Sequence, residues 1–223
     1  MIKKAVCILS GGMDSALAAY KAKVEGYEII ALHFDYGQRT QNREKEAFYD
    51  LCNALDVKAK YCLDLAFLGQ IGGSALTDTN IEVPTSGVED GTVPITYVPF
   101  RNGIFLSIAA SIAEKEDAEA LYIGVVEEDS SGYPDCREEY MLATEKAINL
   151  GTKDETNLMI KRPLVSLSKA QIVSESIALE VPLNLTWSCY KSQERACGIC
   201  DSCRLRLAGF KKAGITDPIP YQQ

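Results

Sequence analysis

The segment that most constrains the fold is the hexapeptide Ser10–Ser15, with the sequence S-G-G-M-D-S, near the start of the chain. It follows a short apolar run over residues 5–9 that predicts a buried strand, and it precedes a segment rich in helix formers. Glycine adopts backbone angles closed to other residues, so Gly11 and Gly12 let an anion approach the main chain. Exposed N–H groups, serine hydroxyls and the positive end of a helix dipole would complete the site. The hexapeptide therefore predicts a phosphate-binding turn between a strand and a helix.

Asp14 is the unexpected member of this turn. A carboxylate beside phosphates would repel them unless a divalent cation lay between, so we expect magnesium with a bound nucleotide. The alternative is an ordinary turn in which Asp14 or Ser15 caps the helix. The position of the hexapeptide at the end of the first strand of an α/β sheet favours the ligand-binding interpretation, because open sheets of this kind bind ligands at that edge.

The rest of the chain alternates between strand-like and helix-like segments. The predicted strands are 5–9, 27–34, 59–63, 121–126 and 158–160, and the predicted helices are 16–22, 42–55, 103–113 and 140–150. Such alternation predicts an α/β fold, a doubly wound and mostly parallel five-stranded sheet of Rossmann-like type with helices on both faces. Residues 64–99 interrupt it without periodicity, and a stretch of this length indicates a lid or a subunit contact more readily than a passive insertion.

Composition limits the classes of partner. The 223 residues suffice for one main domain, which we place at 1–186, with a small segment 187–223 that shares its core. A net charge of −8 excludes a general electrostatic attraction to nucleic acid, and no apolar run is long enough to span a membrane. Without a leader-like start, the chain is expected to be cytoplasmic, with neither nucleic acid nor membrane as a partner.

Four of the eight cysteines fall in the spacing C-x7-C-x2-C-x2-C near the carboxyl end. They are Cys189, Cys197, Cys200 and Cys203. Four thiolates complete a tetrahedral structural zinc site and leave no position for catalytic water. Two disulfides or an iron–sulfur cluster are the alternatives, and disulfides are disfavoured in a reducing compartment. Among the other cysteines, Cys136 alone has a context that fits neither core packing nor the cluster.

Two further segments should open on the same sheet edge as the hexapeptide. The first, V-P-F-R-N over 98–102, precedes a predicted helix, and the second, D-S-S-G-Y-P-D-C-R over 129–137, follows the fourth predicted strand. Aromatic rings, carboxylates, an amide and guanidinium groups can stack on a flat heterocycle, bind its ring edge and pair with a carboxylate. Capped turns would explain either segment equally well.

The hexapeptide resembles the loop of the N-type ATP pyrophosphatases, and four motifs together resemble the 7-cyano-7-deazaguanine synthase family. These motifs are S-G-G-M-D-S, V-P-F-R-N, S-G-Y-P-D-C-R and W-S-C-Y-x6-C-G-x-C-D-S-C-R. The resemblance implies an ATP-dependent ligase of queuosine biosynthesis that converts 7-carboxy-7-deazaguanine and ammonia to the nitrile through an adenylated carboxylate. It also implies the ATP-pyrophosphatase fold, a bound zinc ion and a homodimer.

The resemblance further implies roles for individual residues. For the nucleotide site they are Leu9, Ser10, Gly11, Gly12, Met13, Asp14, Ser15 and Phe34, and for the deazaguanine pocket Phe100, Arg101, Asn102, Tyr133, Asp135 and Arg137. Asp14 and Ser15 would also act in catalysis, together with Lys169, which resembles a late lysine that reaches the phosphates in related enzymes. Ser130 departs from the family pattern, which often has an aromatic residue there.

Three alternatives share parts of this pattern. A tRNA-modifying enzyme with the same loop should carry a basic face, which the net charge of −8 disfavours. A relative that joins the deazaguanine to another acceptor amine is hard to separate by sequence, and a zinc-containing module that only senses nucleotide would lack ATP turnover. The single histidine, His33, lies near a strand end, where core packing or an adenine contact is favoured over a general base.

Overall fold

The fold is given by a computed structural model that describes residues 2–85, 92–127 and 132–222. Asp129, Ser130 and Ser131 of the second substrate segment, including the departure at Ser130, lie outside the described residues. Within the described ranges, no helix combines the length and the apolar character needed to cross a bilayer.

Five parallel strands form one sheet in the order β3-β2-β1-β4-β5. They are β1 (Lys4–Ile8), β2 (Glu28–Asp35), β3 (Ala59–Asp64), β4 (Ala120–Tyr122) and β5 (Met159–Lys161). Alternate residues of β1 face opposite sides, since Ala5 and Cys7 enter one apolar cluster while Val6 and Ile8 enter the other. Burial on both faces explains why this strand is a continuous apolar run.

Seven helices accompany the sheet within the described residues. They are α1 (Met13–Val24), α2 (Gln41–Leu55), α3 (Phe67–Ile71), α4 (Arg101–Glu116), α5 (Glu138–Gly151), α6 (Lys169–Ala178) and α7 (Asp201–Lys212). Phe48 of α2, Ile172 of α6 and Phe210 of α7 pack with α1 on one face of the sheet. Leu106 of α4 and Met141 of α5 pack on the other face. The predicted doubly wound parallel α/β sheet is confirmed.

The fourth strand is shorter than predicted. The sequence predicted a strand over 121–126, but β4 ends at Tyr122. Its neighbour β5 offers only three residues for pairing, and Gly124 already contacts the start of α1 at backbone distance. Ile123 still donates its backbone N–H to Lys161 of β5 at 3.0 Å, and residues 123–126 then line the crevice beyond the sheet.

The order of the strands places the ligand crevice. Because β1 connects to β2 on one side and β4 lies on the other, the topology reverses between β1 and β4. Open α/β sheets bind ligands beyond the carboxyl ends of the strands at such a point. The hexapeptide follows β1 directly, so the fold positions it at the crevice.

Candidate active site

The backbone of the hexapeptide requires glycine at its second position. Gly11 has φ +92°, and a Cβ there would lie 2.7 Å from the backbone oxygen of Glu44 in α2. Gly12 is the N-cap residue of α1 and has no side chain to occupy the first N–H groups of the helix. These groups and the positive end of the helix dipole remain available to an anion.

The two serine side chains of the turn support this backbone. The hydroxyl of Ser15 donates to the carbonyl of Gly12 at 2.9 Å and accepts from the N–H of Ser10 at 3.1 Å. The hydroxyls of Ser10 and Ser15 lie 3.0 Å apart. The turn is therefore closed by its own side chains before any ligand binds.

Asp14 forms an ion pair across the crevice. Lys169, at the first position of α6, donates to Oδ2 of Asp14 at 2.5 Å, and the two side chains are 14% and 29% exposed, respectively. Oδ1 of Asp14 is buried and has no hydrogen-bond partner among the described residues. A carboxylate oxygen with an open coordination position beside an anion-binding turn fits a magnesium ligand.

A single cavity of about 260 Å³ contains the turn and most of the predicted site residues. Those that line it are Leu9, Ser10, Gly12, Met13, Asp14, Ser15, Phe34, Arg101, Asn102, Tyr133 and Lys169. Segments separated by more than 150 positions in the sequence thus meet at one site. The volume is at the lower limit of the range typical of small-molecule sites.

The cavity also contains a buried guanidinium surrounded by aromatic rings. Arg101 donates to the hydroxyl of Tyr36 at 3.0 Å, and its guanidinium lies 5.4 Å from the ring of Tyr36 and 5.8 Å from that of Phe105. Tyr133 and Tyr190 also line the cavity and lie near this guanidinium. Burial raises the pKa of Tyr36 to about 12, so the phenol stays neutral beside the cation. The arrangement suits a flat ligand that carries a carboxylate.

Four of the predicted residues are not among those that line the cavity. Gly11 lies behind the turn, and the side chain of Phe100 is 55% exposed and lines a separate groove between α4 and α5. Asp135 is buried and accepts from the backbone N–H of Asn102 at 2.9 Å, so it holds the start of α4. Arg137 is exposed at the N-cap of α5.

Several lining residues were absent from the sequence-based assignment. They are Tyr36, Glu44, Thr96, Gly124, Trp187, Ser188, Tyr190, Asp201, Ser202 and Arg206, with apolar neighbours. Five of them stand in a motif already noted, W-S-C-Y-x6-C-G-x-C-D-S-C-R; they are Trp187, Ser188, Tyr190, Asp201 and Ser202. The position of Tyr36 directly after β2 was a second usable signal, because carboxyl ends of strands form the crevice.

Gly124 allows the closest contact between the turn and the chain beyond β4. A Cβ at this position would lie 2.7 Å from the carbonyl carbon of Asp14 and from the nitrogen of Ser15. We expect Gly124→Ala to displace the turn, to raise the KM for ATP and to destabilise the fold by about 1–3 kcal/mol. Gly151→Ala is the matched control, because no atom lies within 4 Å of its added Cβ. Steady-state kinetics and thermal unfolding test this, and an unchanged KM for ATP in Gly124→Ala would contradict it.

Cys136 lines the cavity, but its thiol is held in the neutral form. Burial, with a smaller contribution from the charge of Asp135, raises the pKa of Cys136 to about 12. The nucleophilic form of cysteine is the thiolate, so this side chain is unsuited to covalent catalysis. Its contact is with the side-chain amide of Asn102, which donates to the sulfur at 3.3 Å.

We therefore expect Cys136→Ala to retain turnover. We also expect the wild-type protein to form no covalent adduct with the substrate. Intact-protein mass spectrometry during turnover and the initial rate of the variant test this. A trapped thioester on Cys136, or loss of turnover with normal zinc content and thermal stability, would contradict it.

His33 has a structural environment. Its Nδ1 lies 3.0 Å from the carbonyl oxygen of Leu9, and its ring stacks on Phe48 at a centroid distance of 5.0 Å. Burial lowers the pKa of the imidazole, so the neutral ring is favoured. His33 is not among the residues that line the cavity, so its contacts are those of core packing.

The four predicted metal ligands form a cluster. The sulfur atoms of Cys189, Cys197, Cys200 and Cys203 all lie within 4.8 Å of one another, and those of Cys197 and Cys203 are 4.0 Å apart. A zinc–sulfur bond of about 2.3 Å requires tetrahedral sulfur atoms about 3.8 Å apart, so the cluster fits the ion. Backbone N–H groups of Lys191, Ser192 and Cys197 point at the sulfur of Cys189 from 3.3–3.4 Å, which favours a thiolate.

The segment that leads into the cluster is hydrogen-bonded to the phosphate-binding turn and to α2. The N–H of Trp187 donates to the carbonyl of Gly11 at 2.8 Å, and the hydroxyl of Thr40, at the N-cap of α2, lies 3.2 Å from the carbonyl oxygen of Cys189. Arg43 of α2 stacks on the ring of Trp187 at 5.0 Å. Whatever orders the cysteine cluster therefore also restrains the turn.

The fold, the turn and the cluster define the class: a doubly wound α/β protein with an anion-binding turn after its first strand and a four-cysteine site that can hold a metal ion. The profile of the family described as "Queuosine biosynthesis protein QueC" matches residues 4–214. The chain belongs to this family.

Curated relatives agree over the full length. The chain is 67% identical over 221 residues to the "7-cyano-7-deazaguanine synthase" of Aliarcobacter butzleri, with 99% of this chain and 96% of that protein covered. The protein of the same name from a Sulfurovum species is 67% identical over 223 residues, with both chains fully covered. A third, from Campylobacter fetus, is 64% identical over 221 residues and covers 99% of this chain and 98% of its own.

Among solved structures, a crystal structure described as a 4-thiouridine synthetase–RNA complex with bound ATP superposes with a TM-score of 0.52. It is 20% identical and covers 80% of this chain and 41% of its own. A predicted subunit of tRNA methyltransferase from Methanocaldococcus jannaschii gives a TM-score of 0.50 at 13% identity, covering 99% of this chain and 93% of its own. Both similarities concern the fold.

Proposed function

We propose that the chain is an ATP-dependent carbon–nitrogen ligase that converts 7-carboxy-7-deazaguanine and ammonia to 7-cyano-7-deazaguanine. The observation that carries the proposal is one cavity lined both by the phosphate-binding turn and by Arg101 among tyrosine rings. The full-length relatives bear the name of this enzyme, which supports the choice of substrate.

The first step activates the carboxylate. A carboxylate oxygen of the substrate attacks the α-phosphorus of ATP, the bond to the bridging oxygen breaks, and pyrophosphate leaves with the electron pair. The N–H groups at the start of α1 and the ammonium group of Lys169, which pairs with Asp14, would bind the charge that develops on pyrophosphate. Ammonia then attacks the acyl carbon, AMP departs with the oxygen, and loss of a proton gives the amide.

The nitrile requires a second removal of oxygen. The amide oxygen attacks the α-phosphorus of another ATP and pyrophosphate leaves again; the departure of AMP and loss of the nitrogen-bound protons then give the C≡N bond. The same groups serve both rounds, because each transfers adenylate to an oxygen on the same carbon. Side chains need supply little acid–base chemistry, and positioning of the two substrates accounts for about 7–11 kcal/mol of such barriers.

Two metal ions belong to the proposal. Asp14 would hold Mg²⁺, which neutralises phosphate charge when bound. The four-cysteine cluster would hold Zn²⁺ in a structural role, because four protein ligands leave no open position. We also propose that the protein works as a homodimer. We place it in the cytoplasm, since the eight cysteines are free thiols and four of them suit a metal site in a reducing compartment.

Isotope-labelled substrates test the reaction. The protein is incubated with Mg-ATP, labelled ammonium and 7-carboxy-7-deazaguanine whose carboxylate carries ¹⁸O. We expect the ammonium nitrogen in the nitrile and ¹⁸O in AMP, because each carboxylate oxygen leaves as part of AMP. ADP instead of AMP, ¹⁸O in water, or no nitrile would refute the proposal. A deazaguanine joined to another amine would assign the chain to that alternative.

A further inference from the structure

Glu44 of α2 lines the cavity and is held by two neighbouring side chains. The hydroxyl of Thr40 donates to Oε1 at 2.7 Å, and the side-chain amide of Gln38 donates to Oε2 at 3.1 Å. A carboxylate has about four acceptor positions on its two oxygens. Each oxygen of Glu44 can therefore accept a further hydrogen bond from a ligand.

Gln38 can present only a donor to Glu44. Its side-chain oxygen accepts the backbone N–H of Tyr36 at 2.8 Å, which directs its amide nitrogen toward the carbonyl of Phe34 and the carboxylate of Glu44. Gln38 and Thr40 are both buried. The carboxylate is thus fixed in place, and a fixed acceptor pair is suited to selecting ligands by their donor pattern.

Glu44 is close both to the turn, where its backbone oxygen faces Gly11, and to Arg101. Tyr36 connects the side chains of Glu44 and Arg101, since its backbone N–H binds Gln38 and its hydroxyl binds Arg101. Burial raises the pKa of Glu44, and the hydrogen bonds from Thr40 and Gln38 and the charge of Arg101 oppose that rise. No ion pair of the described residues joins Glu44 to Arg101. Arg101 can therefore meet a ligand carboxylate while the oxygens of Glu44 separately accept from ligand N–H groups.

We propose that Glu44 is the residue that selects the guanine-type edge of the substrate, a deepening that rests on the proposed function. A deazaguanine presents N1–H and the 2-amino group side by side, two parallel donors that match the two oxygens of a carboxylate. Adenine presents an acceptor at N1, which a carboxylate repels. The site must distinguish two flat heterocycles, the deazaguanine and the adenine of ATP. Glu44 excludes the adenine from the position of the deazaguanine.

Binding of two bases tests the assignment without turnover. 7-Deazaguanine and 7-deazahypoxanthine differ only by the 2-amino group, and their affinities are measured by calorimetry. We expect the wild-type protein to bind 7-deazaguanine roughly 10- to 100-fold more tightly, because hydrogen bonds to charged groups contribute that range. Glu44→Gln should abolish the discrimination and leave the KM for ATP unchanged. Glu46→Gln, on the same helix with a side chain that is 70% exposed, is the control.

The outcomes separate this assignment from the reaction. Equal affinity of the wild-type protein for the two bases would overturn it even if the nitrile forms, and this comparison needs no variant that must fold. A raised KM for ATP with unchanged discrimination in Glu44→Gln would overturn it in favour of a nucleotide contact. A third outcome is that the wild-type protein discriminates strongly, Glu44→Gln loses the discrimination, and the wild-type protein forms no nitrile. This outcome would uphold the role of Glu44 and refute the reaction.

Discussion

Asp14→Asn is expected to lower turnover at least about 100-fold while the protein keeps its fold and its metal content. The substitution preserves shape but removes the charge with which the turn would hold magnesium beside the phosphates. Because the Asp14 side chain is partly exposed at the cavity, its loss costs the core little. Pyrophosphate release measured over a range of Mg²⁺ concentrations is the test.

Two variants make this result specific. Asp154→Asn, at an exposed position away from the cavity, should behave as wild type. Lys169→Ala should lower turnover without altering the dependence on Mg²⁺, because Lys169 contacts Asp14 but would bind the phosphates directly. If Asp14→Asn and Lys169→Ala lowered turnover equally, with the Mg²⁺ dependence of the wild type in both, the pair would be a structural salt bridge and the proposed metal ligand would be wrong.

The fold could be predicted from the sequence because its signals are local. The apolar run before Ser10 and the helix formers after Ser15 specify a strand, a turn and a helix within a few residues. The cysteine spacing specifies its cluster in the same way, since three ligands three residues apart, with a fourth eight residues before them, can reach one ion. In both cases the physical cause and the sequence pattern occupy the same short segment.

Three helices, α3, α6 and α7, were missed, and the two longer ones have local signals that are weak or conflicting. α6 has a capping box, in which Ser168 and Gln171 exchange hydrogen bonds, but its interior contains serines and β-branched residues of low helix propensity. It is stabilised by packing of Ile172 and Val173 into the sheet core. α7 begins among the cysteines at Asp201, where the metal pattern obscures the start of a helix.

The candidate site was only partly predictable because its wall is assembled by tertiary contacts. Tyr36, Glu44 and Tyr190 come from three separate loops and helices and meet only when the sheet order is formed. Phe100 and Arg137 were assigned to the pocket on the strength of neighbouring residues, yet their side chains lie at the surface. A motif specifies where a segment lies; which of its side chains face a cavity depends on backbone turns that the spacing does not encode.

Removal of the cluster metal is expected to have the largest effect on stability. Cys200→Ala should abolish stoichiometric zinc and destabilise the protein by at least about 3 kcal/mol, because binding free energy at a structural zinc site is folding free energy. Cys200 is buried at the N-cap of α7, but its side chain makes no capping hydrogen bond, so the loss falls on the metal site rather than on the helix cap. The turn should be affected in addition, since the N–H of Trp187 holds the carbonyl of Gly11.

Loss of zinc with lowered stability, and weakened binding at the turn, are measured separately. Both must occur in Cys200→Ala if the cluster supports the turn. Zinc content by elemental analysis and thermal unfolding report on the cluster, and the affinity for Mg-ATP reports on the turn. Cys62→Ala, which removes a partly buried cysteine of β3, should keep its zinc and its affinity for ATP. A soluble Cys200→Ala protein with wild-type ATP affinity would show that the turn is held without the metal, and retention of one zinc per chain would show that Cys200 is not a ligand.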